Sequence, residues 1–268
     1  MLTDAQFDRV VRYVKSHYGI DLSQKRVLVN GRLETHFLHN GYDNFEDFMS
    51  RVEMDFQGAE SKGLIDALTT NHTYFMREPV HFEYLRQVIL PYLKVKEAKE
   101  RDLRIWSAAS STGEEPYTLA MVVTDFFGLE AGSWDTRILA TDISTRVLEH
   151  AIRGVYLKEQ VDPLPDMWKR RYFISRGEEY AVRDELKQQL IYRRFNLMDE
   201  FPFKRKFHVV FLRNVMIYFN DDVKYRLIDK IYRFLEPGGY LIIGATESLD
   251  KNRIQLQYVQ PSIYRKKE

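Results

Sequence analysis

The chain contains no cysteine among its 268 residues, which excludes disulfide bonds and thiolate metal sites, and nothing else in the sequence suggests a metal. Its net charge is only +1, so we expect no general attraction to nucleic acid. No segment approaches the ~18 consecutive apolar residues of a membrane span, and the opening sequence MLTDAQFDRV has no apolar signal core. We therefore expect a cytoplasmic protein that does not insert into a membrane.

Glycine is scarce where a nucleotide-binding protein would need it. The stretch RIWSAASSTGEEPYTLAM, residues 104–121, predicts a strand, a loop and a helix, but its loop holds one glycine, Gly113, followed by Glu114 and Glu115. Two carboxylates would repel the pyrophosphate of NAD, whereas S-adenosylmethionine has no phosphate and carries an ammonium and a sulfonium. The acids thus favour S-adenosylmethionine. The alternative is that they only stabilise the first helical turn, with Glu114 facing solvent.

Hydrophobic spacing divides the chain into two parts. Residues 1–78 carry apolar residues at helical spacing and predict an all-α domain, which opens with Thr3 and Gln6 at the positions of a capping box. Residues 79–100 predict a linker helix. Residues 101–268 alternate between apolar strands and amphipathic helices, which indicates a Rossmann-like α/β domain with a mainly parallel sheet. Within it, residues 171–195 alternate like antiparallel strands around Gly177, and we interpret them as a small β insertion.

Polar residues follow the predicted strands. Ligands of open α/β sheets bind beyond the carboxyl ends of the strands, so these residues are candidates for a binding site. Asp142 closes the second strand of the α/β domain, TRILATDI, and an acid in that place suits the hydroxyls of a ribose. Proteins that bind NAD and proteins that bind S-adenosylmethionine both recognise a ribose in this way. Only the loop after the first strand distinguishes the two classes.

Three motifs carry a family resemblance. They are NHTYFMREPVHF at residues 71–82, WSAASSTGEEPYTLAM at 106–121, and LRNVMIYF at 212–219. Together, and in this order, they resemble the CheR-type chemotaxis receptor glutamate methyltransferases over essentially the whole chain. The resemblance implies a class I S-adenosylmethionine-dependent methyltransferase fold. It also implies methyl transfer to the γ-carboxylate of receptor glutamates, with methyl-accepting chemotaxis receptors as partners.

The resemblance also assigns residues to the site. It implies cofactor contacts for Asn71, Thr73, Arg77, Glu115, Asp142, Asn196, Leu197, Leu212 and Arg213. It further implies that Arg77 and Tyr218 hold the substrate carboxylate and the cofactor in line. Structural alternatives are open for three residues: Asn196 as a turn cap, Arg213 as an ion-pair partner, and Tyr218 as a core residue.

Charge distribution suggests where a receptor would bind. Between positions 9 and 36 the chain has six Lys or Arg residues against two acids. Charge alone fits a solvated helix face as well as a surface for an acidic partner; with the resemblance, Lys25, Arg26 and Arg32 in this stretch are candidate contacts for acidic receptor helices. The loop SRGEEY in the β insertion is shorter than in some relatives, so we expect no tethering to a receptor C-terminal peptide. Two other functions remain open: methylation of a different protein carboxylate, and a non-catalytic S-adenosylmethionine sensor.

Overall fold

The computed structural model describes all residues, 1–268, and begins with a helical domain. Four helices form it: α1 (Asp4–Tyr18), α2 (Arg26–Asn40), α3 (Phe45–Met54) and α4 (Ala59–Leu68). The predicted capping box is present, since Gln6 N donates to Thr3 Oγ1 (3.3 Å) and Thr3 N donates to Gln6 Oε1 (3.0 Å). The helices enclose a core of their own, in which Phe48, Met49 and Leu64 are fully buried.

A bent helix connects the helical domain to the sheet. It consists of α5 (Pro79–Tyr84), a π-helical turn (Leu85–Ile89) and α6 (Leu90–Lys96). Pro91 has no N–H to donate to the preceding turn, and the wider π-helical turn accommodates this loss. The helix packs on the sheet, with the ring of Phe82 stacked on Phe211 at 5.7 Å. It is therefore a layer of the α/β domain as well as a linker.

The α/β domain is built on a seven-stranded sheet. Its strands are β1 (Ile105–Ala108), β2 (Ile138–Asp142), β6 (Leu190–Arg194), β7 (Phe207–Leu212), β8 (Leu235–Ile243), β9 (Gln257–Gln260) and β10 (Ile263–Arg265). Their order is β6-β2-β1-β7-β8-β10-β9. The first five are parallel, and β10 and β9 continue the sheet antiparallel. The predicted Rossmann-like fold preceded by an all-α domain is confirmed.

Alternate strand residues point to opposite faces of the sheet, and helices cover both. The main helices of the domain are α7 (Glu114–Phe127), α8 (Thr145–Arg153) and α12 (Asp221–Phe234). Val209 and Phe211 of β7 belong to the core under α7, whereas Val210 and Leu212 belong to the core under α12. Burial on both faces explains the continuous apolar runs of the central strands. None of the helices has the length and apolar composition that crossing a bilayer requires.

The β insertion differs from its predicted limits. It comprises β3 (Val155–Leu157), α9 (Lys158–Val161), α10 (Asp166–Tyr172), β4 (Phe173–Arg176), β5 (Glu179–Val182) and α11 (Asp184–Lys187). Its antiparallel sheet has the order β3-β5-β4. The prediction that residues 171–195 form the insertion was wrong at both ends: it omits β3, and it includes β6, which pairs in parallel with β2. As an edge strand with one buried residue, Leu190, β6 lacks the continuous apolar run of the central strands.

Candidate functional site

A cavity of about 500 Å³ lies at the carboxyl ends of β1, β2, β6 and β7, and the helical domain forms part of its wall. This volume is within the ~300–1,000 Å³ of small-molecule sites. Most residues singled out from the sequence line it: Lys25, Asn71, Thr73, Arg77, Glu115, Asp142, Asn196, Leu197, Arg213 and Tyr218. Leu212 does not, because its side chain is fully buried in the core. Arg26 and Arg32 line a neighbouring open cleft instead.

The loop after β1 turns sharply to present its backbone to the cavity. Ala109 and Ser111 have left-handed φ angles of +64° and +50°, which are unfavourable for side chains with a Cβ. Gly113 has φ +103°, and a Cβ there would lie 2.7 Å from Tyr156 Oη and 2.8 Å from the Cβ of Ala151. The single glycine of the loop is thus required by backbone conformation and by close packing, rather than by a phosphate.

Asp142 is held in place by the backbone around it. Its Oδ2 accepts from Ser111 N (2.9 Å), and its Oδ1 accepts from Ser144 N (2.9 Å). Burial raises the pKa of this carboxyl, and the two amide donors oppose that rise. Asp142 therefore joins the loop after β1 to the start of α8. It also lines the cavity at the end of β2, where the sequence predicted a ribose ligand.

A buried ion network crosses the floor of the cavity. Arg213 Nη1 donates to Glu115 Oε2 (2.8 Å), and Arg213 Nη2 donates to Glu78 Oε2 (3.1 Å). The second oxygen of Glu115 accepts from Ser107 Oγ (2.7 Å). Burial raises the pKa of Glu78, but Arg213 and the hydrogen bonds to Asn214 and to the backbone outweigh burial and lower it overall. Arg213 thus has the structural ion-pair role that the sequence left open.

Glu114 is not part of this cavity, and it does not face solvent as the sequence allowed. Its side chain is 1% exposed and accepts from Thr112 Oγ1 at 2.7 Å. Burial raises the pKa of the carboxyl. Of the two acids only Glu115 therefore borders the cavity, and Arg213 compensates its charge.

The segment between α4 and α5 crosses the cavity and ties the two domains together. Asn71 O accepts from Ser111 Oγ (2.8 Å), and Arg77 Nη1 donates to His72 O (2.8 Å). Arg213 also donates to Arg77 O. The half-buried side chain of Arg77 borders the cavity, and its guanidinium carbon lies 5.8 Å from the centre of the Tyr74 ring.

Asn196 caps a turn, as the sequence allowed. Its Oδ1 accepts from Met198 N (3.0 Å), and its Nδ2 donates to His17 O of the helical domain (2.8 Å). Both polar atoms of the side chain therefore have partners within the chain. Asn196 and Leu197 line the cavity just beyond the end of β6.

Tyr218 lies on the loop after β7, in a 3₁₀ turn (Met216–Tyr218). Glu247 fixes the first half of this loop, because its carboxylate accepts from the backbone N of Asn214 (2.9 Å), Met216 (2.8 Å) and Gly244 (2.7 Å). The ring of Tyr218 lines the cavity and is not part of the hydrophobic core. Tyr218 Oη makes no hydrogen bond within the chain and is available to a ligand.

Comparison with known proteins decides the family. The model of the CheR methyltransferase all-alpha domain matches residues 5–69, and that of the CheR methyltransferase SAM binding domain matches residues 71–265. The chain belongs to the CheR methyltransferase family. The resemblance seen in its three motifs is confirmed, and this CheR protein is an S-adenosylmethionine-dependent methyltransferase.

Curated relatives match along almost the whole of this CheR chain. The chemotaxis protein methyltransferase of Borreliella burgdorferi is 37% identical, with 99% of this chain and 95% of the relative covered. Chemotaxis protein methyltransferase 1 of Pseudomonas aeruginosa is 35% identical, with 98% of each covered. The chemotaxis protein methyltransferase of Escherichia coli is 33% identical, with 92% of this chain and 85% of the relative covered.

Two lining residues of the CheR cavity carry buried polar atoms without partners in the chain. They are Arg213 Nε, which can only donate, and Ser110 Oγ, which can donate or accept. Unpaired buried polar atoms are costly, and at the wall of a cavity a ligand can satisfy them. A molecule with a carboxylate and hydroxyl groups, such as S-adenosylmethionine, fits this requirement.

Sequence reasoning missed two residues of this CheR site. Glu78 precedes Pro79 at the start of α5, and an acid at a helix start before proline is a readable signal. Glu247 follows β8, and the strand-end rule that found Asp142 also applies to it. Ser110 lies in the loop after β1, to which the same rule points, but only the fold shows that its hydroxyl is unpaired.

Proposed function

We propose that this CheR protein transfers the methyl group of S-adenosylmethionine to the γ-carboxylates of glutamates on chemotaxis receptors, in the cytoplasm. The observation that carries the proposal is one cavity at the strand ends, lined by both domains, in a chain that matches the family along its length. A cavity shared by the two domains allows the helical domain to bring a protein substrate to a cofactor held by the sheet.

Different residues of the cavity would bind the ribose, the methionine end and the adenine of the cofactor. Asp142 would accept from the ribose hydroxyls, as an acid at the end of a second strand does in related sheets. The methionine end would lie near Asn71, Thr73 and Arg77, where the unpaired Arg213 Nε can donate to its carboxylate. Apolar lining from Ile143, Phe195 and Leu197 would border the adenine.

The reaction needs little acid–base chemistry from the protein. When bound, S-adenosylmethionine supplies an electrophilic methyl group on a sulfonium. The acceptor glutamate is already ionised at neutral pH, because its ordinary pKa is ~4.3, so no general base is required. Arg77 and Tyr218 would orient the acceptor carboxylate, and the enclosing walls would exclude water that stabilises the separated charges.

The basic face of the helical domain would recognise the acidic methylation region of the receptor. Lys25 is exposed, and it borders both the main cavity and the open cleft. Arg26 pairs with Asp4 at 2.6 Å and donates to Leu2 O (3.1 Å), but its side chain is 42% exposed and accessible to a partner. Arg32 is different: its guanidinium donates to Leu68 O (2.6 Å) and Thr69 O (3.0 Å) at the end of α4. We assign recognition to Lys25 and Arg26, and we give Arg32 mainly a structural role.

The β insertion offers a short edge for a tethering peptide. Strand β4 is at the edge of the small sheet, its last three residues are exposed, and only Gly177 and Glu178 connect it to β5. Four residues provide few backbone hydrogen bonds for an added strand. We propose that the receptor is bound without a tethered C-terminal peptide.

Transfer of labelled methyl tests this function. The chain should move the label from S-adenosylmethionine to receptor fragments, and the product should be base-labile, as carboxyl methyl esters are. Fragments with the candidate glutamates changed to alanine are the matched control. Label on the control fragments, or no label on any receptor, would contradict the proposal. Calorimetry should show binding of S-adenosylhomocysteine and none of NAD.

A further inference from the structure

The second half of the loop that carries Tyr218 is held by the helical domain. Asp21 N donates to Tyr218 O (2.9 Å), and Ile20 forms an antiparallel bridge with Phe219. The hydrogen bonds of the 3₁₀ turn, from Tyr218 N to Val215 O and from Phe219 N to Met216 O, are local. Glu247 reaches only the first half of the loop. The orientation of Tyr218 therefore depends on the segment Gly19–Lys25.

The side chain of Asp21 bridges the two ends of the turn in this segment. The Asp21 carboxylate accepts from Lys15 Nζ (2.7 Å) and from Ser23 N (3.0 Å). The hydrogen bond from Lys15, together with those from Ser23, lowers the pKa of Asp21 to about 2, so the group is ionised at neutral pH. The side chain thus connects the end of α1 to the turn that leads into α2, and its own backbone N–H reaches Tyr218.

Close packing leaves this segment little room to shift. Gly19 ends α1 with φ +72°, and a Cβ there would lie 2.8 Å from Met198 Sδ and 2.9 Å from Val223 Cγ1. Ile20, Asp21 and Lys25 all line the same cavity as Tyr218. The helical domain is thereby built into the wall beside the candidate acceptor-binding residue.

We propose that Asp21 is a positioning residue for methyl transfer: it shapes the segment Gly19–Lys25 so that this segment holds Tyr218 at the cavity. The inference rests on the proposed function. It adds a second role for the helical domain, because the segment leads directly into α2, which begins at Arg26 on the proposed receptor-binding face. A receptor that contacts Lys25 would touch the same segment that fixes Tyr218.

Kinetics of Asp21 variants test the inference. Asp21→Ala should lower kcat for receptor methylation about tenfold, since small misplacements of reacting groups cost up to ~100-fold, and should leave the KM for receptor within about twofold. Asp21→Asn keeps an acceptor for Ser23 N and should recover part of the loss. Asp55→Ala is the matched control, because Asp55 Oδ1 accepts from Gln57 N (3.0 Å) in a similar turn that does not border the cavity. An unchanged kcat in Asp21→Ala would overturn the inference.

A double-mutant cycle separates positioning from simple stability. If Asp21 acts through Tyr218, the loss caused by Asp21→Ala should shrink to about twofold or less in a Tyr218→Phe background. An equal loss in both backgrounds would show that Asp21 does not act through this ring, and would overturn the inference.

Hydrogen exchange gives a readout that needs no activity. The amides of Tyr218 and Phe219, which close the 3₁₀ turn, should exchange faster in Asp21→Ala than in wild type, and should be unchanged in Asp55→Ala. Equal exchange in all three proteins would contradict the inference. If the wild-type chain methylates no receptor, the proposed function fails, and exchange still decides whether the segment holds the loop.

Discussion

The cavity has two walls that were formed in different ways. The α/β wall consists of residues at the strand ends and in the segments that follow them, such as Asp142 and Glu115, and their partners Ser111 and Ser107 lie on β1 or in the loop after it. The helical wall consists of the segment Gly19–Lys25, whose partner Tyr218 is about two hundred positions away in the chain. The first wall can be inferred from motifs at strand ends, whereas the second exists only because two domains meet. The α/β wall should therefore carry cofactor affinity, and the helical wall should carry turnover and receptor recognition.

The largest effect should come from breaking the ion network of the α/β wall. Arg213 is buried, and Arg213→Met leaves the part-buried carboxylates of Glu78 and Glu115 without their cation, so we expect a loss of ~3–5 kcal/mol in the free energy of unfolding. Binding of S-adenosylhomocysteine should be lost as well. Chemical denaturation and calorimetry measure the two effects. Arg51→Met is the control, because its ion pair with Asp47 is more than half exposed and should contribute under ~1 kcal/mol. If Arg213→Met lowers the free energy of unfolding no more than the control does, the ion network is not needed for stability.

Acid should weaken the same wall through His81. This buried side chain lies 3.3 Å from Glu78, and burial, with Arg213, lowers its pKa to about 4. The unfolded chain therefore binds more protons than the folded one between pH ~6.5 and 4. The contribution of neutral His81 to the free energy of unfolding is thus fully present above pH ~6.5 and is lost as the pH falls through this window. We expect the decline to be smaller in His81→Leu by on the order of 1–3 kcal/mol. Denaturation at several pH values measures it, with the exposed His39→Leu as control. If the free energy of unfolding depends on pH equally in His81→Leu and in wild type, His81 is not the group that causes the decline.

Asp142 tests whether the α/β wall holds the cofactor. Asp142→Ala should weaken S-adenosylhomocysteine binding by ~1–3 kcal/mol, the contribution of hydrogen bonds to a charged group. Calorimetry on the folded variant gives the affinity. Asp135→Ala is a suitable control, since Asp135 precedes β2 at the other end of the strand. Unchanged affinity in Asp142→Ala would remove this residue from the cofactor site.

The sequence predicts the centre of the fold better than its edges. The central strands lie in continuous apolar runs and the helices have a regular apolar spacing, so both were located within a few residues, whereas β9, β10 and β3 lie outside such runs and are only three or four residues long. Strand β6 was misassigned because, as an edge strand with one buried residue, it lacks the apolar run of the central strands.

The same limit applies to the site. Residues inside motifs were placed at the cavity, but the sequence could not show that Glu114 turns away from it or that Arg32 binds the end of α4. Each of these outcomes depends on a contact between distant parts of the chain, and one sequence carries no signal for such contacts.

Tyr218→Phe separates turnover from cofactor binding. The change keeps the ring in the wall and removes only the hydroxyl, which has no partner within the chain. We expect kcat to fall about tenfold and S-adenosylhomocysteine affinity to stay near that of wild type. Tyr232→Phe on α12 is a matched control far from the cavity lining. Wild-type turnover in Tyr218→Phe would mean that the hydroxyl does not orient the acceptor.

The smallest effect should come from the outer, basic face of the helical wall. Lys25→Glu with Arg26→Glu should raise the KM for receptor about two- to fivefold at low salt, because exposed charges act over a Debye length of ~8 Å at physiological ionic strength and are screened further by added salt. S-adenosylhomocysteine affinity should not change. Lys99→Glu with Lys204→Glu makes the same change in charge at exposed positions outside both clefts, and it should leave KM unaltered.

Deleting the C-terminal tail of the receptor should also have little effect, since β4 offers only a four-residue edge. If the tail deletion abolishes methylation while the charge reversal does nothing, receptor recognition belongs to the β insertion and not to the helical domain.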